Sequence, residues 1–244
     1  MKSSLDSASL FFFRVAGVGR LPALLLLPVF LFLPLTAQAG LPRSAISIPP
    51  DQNLAAGLQA AEQCEITGKL IVLPPLSFDF SGDENPASVV AEQNQALQTM
   101  PEASESWLHV VVGAGSLIGK ESEKQITQRV DSFLKQLPLS APRLRGLIIE
   151  IRVKEPLSAP NLFAFGLVRL ALTAKASQAG LRVAFVFPHG FVARNGAVVK
   201  RLATYADLLG IIYSDSWRQE AAWIAEQALN KPLILKLDER TSAG

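Results

Sequence analysis

A single cysteine, Cys64, serves a chain of 244 residues, and histidine occurs only at His109 and His189. One cysteine forms no internal disulfide, and with two histidines it cannot complete a Cys/His zinc cage. The carboxylates show no metal-loop motif, so neither a metal nor a cofactor is expected. A surplus of one charge is missing too. The first 39 residues carry Lys2, Arg14 and Arg20 against Asp6, and beyond them basic and acidic residues are equal at twenty each. Nucleic-acid binding needs a basic surplus on one face, so no nucleic-acid partner is expected. The low hydrophobicity of disordered chains is also absent: 49% of residues are apolar, ample for a packed core.

A long unbroken apolar span is lacking as well. Leu21 to Thr36 is dense in leucine, but Pro22, Pro28 and Pro34 interrupt it and it is short for a membrane helix. Basic residues precede it, and Ala37-Gln38-Ala39 followed by Gly40 comes after it. That order reads as a signal peptide cleaved after Ala39. The expected division is a signal peptide over 1–39, an extended lead-in over 40–68 and a (β/α) barrel-like domain over 69–244. Export to the periplasm or the exterior follows, into an oxidising compartment where the chain does not rely on disulfides. A membrane is a partner only where the signal segment stays uncleaved.

What the sequence does have is a series of short apolar runs. Gly146–Val153, Leu181–Phe187, Leu209–Ser214 and Pro232–Asp238 are nearly continuous, and Lys69–Leu73 and Trp107–Val112 resemble them. Such runs suit strands buried on both faces of a parallel sheet. Pro74-Pro75 is expected to stop the first. Helical patterns lie between them, as parallel crossovers require. Asn85-Pro86 opens a helix to about Thr99. Ser122 and Gln125 have capping-box spacing ahead of a stripe of Ile126, Val130, Phe133, Leu134 and Leu137. A helix over 160–179 ends with Gly180 at C′. Asn195 precedes a stripe of Val198, Leu202 and Tyr205. Ser216 and Gln219 repeat the capping-box spacing before Trp217, Ala221, Ile224, Ala225 and Ala228. The fold expected is α/β, a parallel TIM-like (β/α) barrel, complete or truncated after about six strands, with an open doubly wound parallel sheet as the alternative.

In either architecture chemistry gathers at the carboxyl ends of the strands. The polar residues there are Ser116, Glu150, Arg152, His189, Tyr213, Asp215, Asp238 and Glu239. Glycoside hydrolysis needs two carboxylates at one rim, one as acid and one as base or nucleophile. Glu150 and Asp215 are the catalytic candidates; Arg152, His189, Tyr213 and Asp238 are the substrate-binding ones. Each has a plainer alternative. Glu150 and Arg152 point to the same side of their strand and also suit a structural ion pair. Asp215 suits a first-turn carboxylate, Tyr213 core packing, His189 an exposed turn and Asp238 a solvated tail. His109 sits mid-strand among apolar residues and reads as a hydrogen-bonded core histidine. The glycines from Gly113 to Gly119 follow a strand, but their spacing is G-x-G-x-x-x-G rather than the dinucleotide fingerprint.

The order of segments from Trp107 to Leu237 resembles the middle of a chitinase-type, family 18 glycoside hydrolase barrel. The pieces that carry the resemblance are Val110–Gly115, Arg145–Arg152 and Ala206–Asp215. The second stands where that family has D-G-x-D-x-D-x-E. Arg145 and Ile148 replace two of its aspartates, Glu150 replaces the third, and Arg152 stands at the catalytic glutamate. An arginine cannot protonate a glycosidic oxygen. The resemblance thus implies a sugar-related barrel without the family's own mechanism. The leading expectation is an exported glycoside hydrolase-like protein acting on or binding carbohydrate. A non-catalytic carbohydrate-binding or scaffold protein with a degenerate barrel, and a nucleotide-dependent open-sheet enzyme, are the alternatives.

Overall fold

A computed structural model of the chain describes residues 29–33, 44–47, 70–80, 87–99, 105–113, 122–153, 157, 159–212, 214–227 and 231–236. The strands are β1 (Val29–Leu33), β2 (Ser44–Ser47), β3 (Leu70–Asp79), β4 (Glu105–Gly113), β5 (Leu144–Arg152), β6 (Arg182–Phe187), β7 (Leu208–Ile212) and β8 (Leu233–Lys236). The helices are α1 (Ala87–Thr99), α2 (Glu123–Leu134), α3 (Pro160–Ser177), α4 (Phe191–Arg194), α5 (Gly196–Ala203) and α6 (Trp217–Glu226). Strands β3 to β8 form a parallel sheet in sequence order, with a helical crossover between each pair. The protein is therefore an α/β fold built on six parallel strands. Among the described residues no helix is long and apolar enough to cross a membrane. The extended segment β1 lies within the apolar run expected to be a leader, and β2 within the lead-in.

The alternation of each strand sorts its side chains into two clusters. One face supplies Ile71, Leu108, Val110, Ile149, Ile151, Phe185, Leu209 and Leu233, packed with buried residues from every helix, among them Val130, Phe163, Leu167 and Leu202. The other face supplies Val72, Trp107, Ile148, Ala184, Val186, Leu208 and Ile234, each at most 1% exposed, and these are strand residues alone. Gly146 makes that second packing fit. A Cβ there would overlap the Trp107 indole, so only glycine leaves room for the ring on the neighbouring strand.

Local signals hold well in the first crossovers. Ser122 and Gln125 form the full capping box, and Ile126, Val130, Phe133 and Leu134 are buried as the stripe predicts. Pro160 opens α3 at its first turn, as a residue without an amide hydrogen can.

Several expectations are corrected. Pro74-Pro75 does not stop β3: the strand runs on to Asp79 through a register shift between Val72 and Pro75, where a missing ladder donor is tolerated. The Pro74 carbonyl takes its hydrogen bond from Gln93 Nε2 on α1, at 2.8 Å. Helix α3 ends at Ser177, and Gly180, with φ of 83°, follows in a turn rather than at C′. Asn195 does not cap α5; its amide donates to Phe191 O, 3.4 Å away, because the short helix α4 precedes it. Ser216 forms no capping box, and on α6 Ala225 is exposed while Glu220 and Ile224 are buried. Cys64, Ser116, Tyr213, Ala228, Asp238, Glu239 and all of the glycine segment after Gly113 lie outside the described residues.

Candidate functional site

Three strands carry a polar residue two positions beyond a member of the strand-only cluster. His109 follows Trp107 on β4, Glu150 follows Ile148 on β5, and Lys236 follows Ile234 on β8. A period of two keeps each on the same face, one step nearer the carboxyl end. The packing below leaves them nowhere to go but against one another. All three are buried, with Glu150 only 1% exposed.

Glu150 is the hub. Its Oε2 lies 2.8 Å from His109 Nε2 and also accepts from Lys236 Nζ. Its Oε1 accepts from Arg152 Nε at 2.8 Å. Arg152 is the next residue on that face and the most open of the four, with 62% of its side chain exposed.

Burial by itself would raise the Glu150 carboxyl. The hydrogen bond from His109 and the positive charge of Lys236, joined by that of His109 only when the imidazole is protonated, outweigh it, so the group is held well below the usual carboxylate range. Burial likewise dominates at His109 and lowers it, against the hydrogen bond and charge of Glu150. A lowered histidine is neutral at pH 7, so Lys236 supplies the charge that holds Glu150 ionised there. A carboxylate only accepts, which assigns the His109 proton to Nε2.

This arrangement suits orienting cations better than delivering a proton. A glycosidase acid is protonated at working pH, whereas the neighbours of Glu150 lower its carboxyl and favour the ionised form. A base or nucleophile must reach its substrate, and the Glu150 carboxylate is 1% exposed, with Oε2 held by two donors and Oε1 by one.

The other candidates are placed separately. Asp215 is exposed in the turn before α6 and is no part of the Glu150 group. His189, in the turn after β6, has 64% of its side chain exposed and approaches Glu220 of α6 with Nδ1–Oε1 3.4 Å. Ser216 Oγ lies between them, 2.9 Å from His189 Nδ1 and 3.2 Å from Glu220 Oε1. Tyr213 and Asp238 are outside the described residues. A cleft of ≈ 260 Å³ opens between the end of β3 and α2, lined by Phe78, Gln125, Arg129 and Phe133 among others, none of them in the Glu150 group. Among the described residues no three His, Cys, Asp or Glu side chains gather where they could hold a metal ion.

Sequence reading passed over Lys236 and Glu220. The signal for Lys236 was a charge in phase with Ile234 in an otherwise apolar strand. The signal for Glu220 was its place one helical turn beyond Ser216. No protein family, no curated protein and no solved structure matches this chain, so the meaning of the site rests on its own chemistry.

Proposed function

We propose that the chain is a (β/α) barrel of the glycoside hydrolase kind, exported, that binds carbohydrate at the carboxyl-end mouth of its strands. Two observations support closure over an open doubly wound sheet. The strand-only cluster is buried without a helix on its face, which a sheet achieves by curling on itself. Neighbouring strands lie ~4.8 Å apart, so β5 and β8 would be about 14 Å apart in a flat sheet, yet Lys236 and Glu150 are in contact. The pairings of β1 with β8 and with β2, and of β2 with β3, fit the same reading.

The observation that carries the functional reading is the engagement of Glu150. Both oxygens are taken by cationic or N–H donors, and the exposed Arg152 guanidinium stands where the family's acid would be. Glu150 fixes Arg152 and Lys236, and Arg152 presents hydrogen-bond donors to sugar hydroxyls. Binding without hydrolysis is the outcome this chemistry favours. The test is a panel of insoluble and soluble polysaccharides, with pull-down and a reducing-end assay on the same samples. Expected are binding by the wild type, no new reducing ends, and weaker binding by Arg152→Ala. Reducing ends that disappear in Glu150→Gln would make Glu150 catalytic instead. No binding to any polysaccharide would remove the carbohydrate reading.

A further inference from the structure

The two serines with capping-box spacing behave differently. Ser122 caps α2 through its hydroxyl, at 3.3 Å from Gln125 N. Ser216 occupies the N-cap of α6 with φ −96° and ψ 4°, and its hydroxyl makes no capping bond. An N-cap hydroxyl stabilises its helix when it bonds a first-turn amide. Here it turns aside to His189 Nδ1 (2.9 Å), Glu220 Oε1 (3.2 Å) and Ser214 Oγ (3.3 Å). Local rules that fail in a consistent sequence point to function. Glu220 is 6% exposed; its Oε1 accepts from Gly190 N at 2.8 Å, and its Oε2 is buried with no hydrogen-bond partner among the described residues. Gly190 itself has φ of 70°, a conformation that suits glycine and aims its N–H at the carboxylate. The group bridges the loops after β6 and β7, at the carboxyl ends of the strands.

We propose that Ser216 and His189, positioned by Glu220, form a nucleophilic site that hydrolyses carboxylic esters. The proposal does not depend on carbohydrate binding. The Ser216 hydroxyl has one proton, within donating distance of both Glu220 Oε1 and His189 Nδ1; with the imidazole proton on Nε2, the hydroxyl turns from Glu220 to donate to Nδ1. Attack on an ester carbonyl forms the Oγ–C bond and passes the hydroxyl proton to Nδ1. Collapse breaks the C–O bond to the alcohol, which leaves with that proton. Water then attacks the acyl-serine, giving a proton to Nδ1; the acid departs and Oγ recovers its proton. Glu220 Oε1, 3.4 Å from Nδ1, faces the positive charge that the imidazole acquires in each half. The exposure of His189 leaves the site open to substrate.

The experiment uses the full chain, a serine-directed fluorophosphonate and 4-nitrophenyl acetate, with peptide mass spectrometry to locate the adduct and thermal melts to confirm folding. An adduct on Ser216 is expected, absent in Ser216→Ala. His189→Gly is expected to slow labelling about 100-fold, the range of general-base catalysis, and added imidazole to restore it. His189→Gln is the second variant should the glycine variant not fold. Glu220→Gln, which keeps an oxygen for Gly190 N, is expected to slow labelling several-fold and to lower the imidazole-rescued rate as well. A folded wild type without a Ser216 adduct, or labelling undiminished in the folded His189 variants, would overturn the proposal.

Discussion

Replacing Glu150 by Gln removes one charge and almost no volume, so its cost isolates the electrostatics of the strand-only face. The side chains of Glu150 and Lys236 are 1% and 10% exposed. Breaking such a buried pair from one side costs about 3–5 kcal/mol, because the remaining ammonium stays desolvated without its counter-charge. A domain has only about 5–15 kcal/mol in total, so the loss is easily read. The same substitution at the rim behaves differently: Arg152 is 62% exposed, solvent screens its pair with Glu150, and Arg152→Gln is expected to cost about 0–1 kcal/mol. Removing both buried charges relieves the desolvated ammonium. Glu150→Gln combined with Lys236→Met keeps an acceptor for His109 and is expected to be more stable than Glu150→Gln alone, with a coupling of at least about 2 kcal/mol. Urea unfolding of the wild type, Glu150→Gln, Lys236→Met and the double variant, analysed by linear extrapolation, gives the cycle. Single and double changes that add within about 0.5 kcal/mol would refute the ion-pair reasoning.

Stability should also depend on pH through His109. Its folded value lies below the ordinary 6.5, so the unfolded chain takes up the proton first as pH falls. Stability is therefore full above about 6.5 and declines below it, by up to about 1.4 kcal/mol per pH unit. Glu150, held below the ordinary 4.5, adds a further loss that begins beneath that pH. Urea midpoints should fall as the pH is lowered from 7.5 to 5 in the wild type, and less steeply in His109→Gln; parallel slopes would contradict the assignment. Gly146→Ala places a methyl on the Trp107 indole and is expected to cost about 1–3 kcal/mol, seen as a lower melting temperature with altered Trp fluorescence. An unchanged melt would show that Trp107 packs elsewhere.

The parallel strands were legible because a strand buried on both faces has to be almost wholly apolar, and β5 and β6 are. The two glutamates show what periodicity can and cannot reveal. Glu150 stood out as a charge in an apolar run, and its phase with Arg152 was readable from spacing. Its partners were not, since Lys236 lies 86 residues away and meets it only through the arrangement of strands β5 to β8. His109 read correctly as a hydrogen-bonded core residue, but the sequence could not say that its partner was Glu150. At α6 the capping-box spacing misled, because a spacing specifies which groups are near and not which of several acceptors a hydroxyl will choose. Ser216 chose His189 and Glu220, groups brought in by a loop and by the next helical turn. The β3 boundary was misjudged for a related reason: a register shift lets the chain carry two prolines through a sheet, and nothing local announces that shift.

Glu150 anchors its cationic neighbours as an ionised carboxylate, and its side-chain carbon reports that charge directly. Selective ¹³C labelling of glutamate, with the Glu150 signal assigned through Glu150→Gln, allows its carboxyl to be followed from pH 8 downward. The predicted result is the chemical shift of an ionised carboxylate throughout, with no titration step before the fold is lost in acid. A step near neutral pH would show a carboxyl able to carry and release a proton, and would return Glu150 to the role of a glycosidase acid.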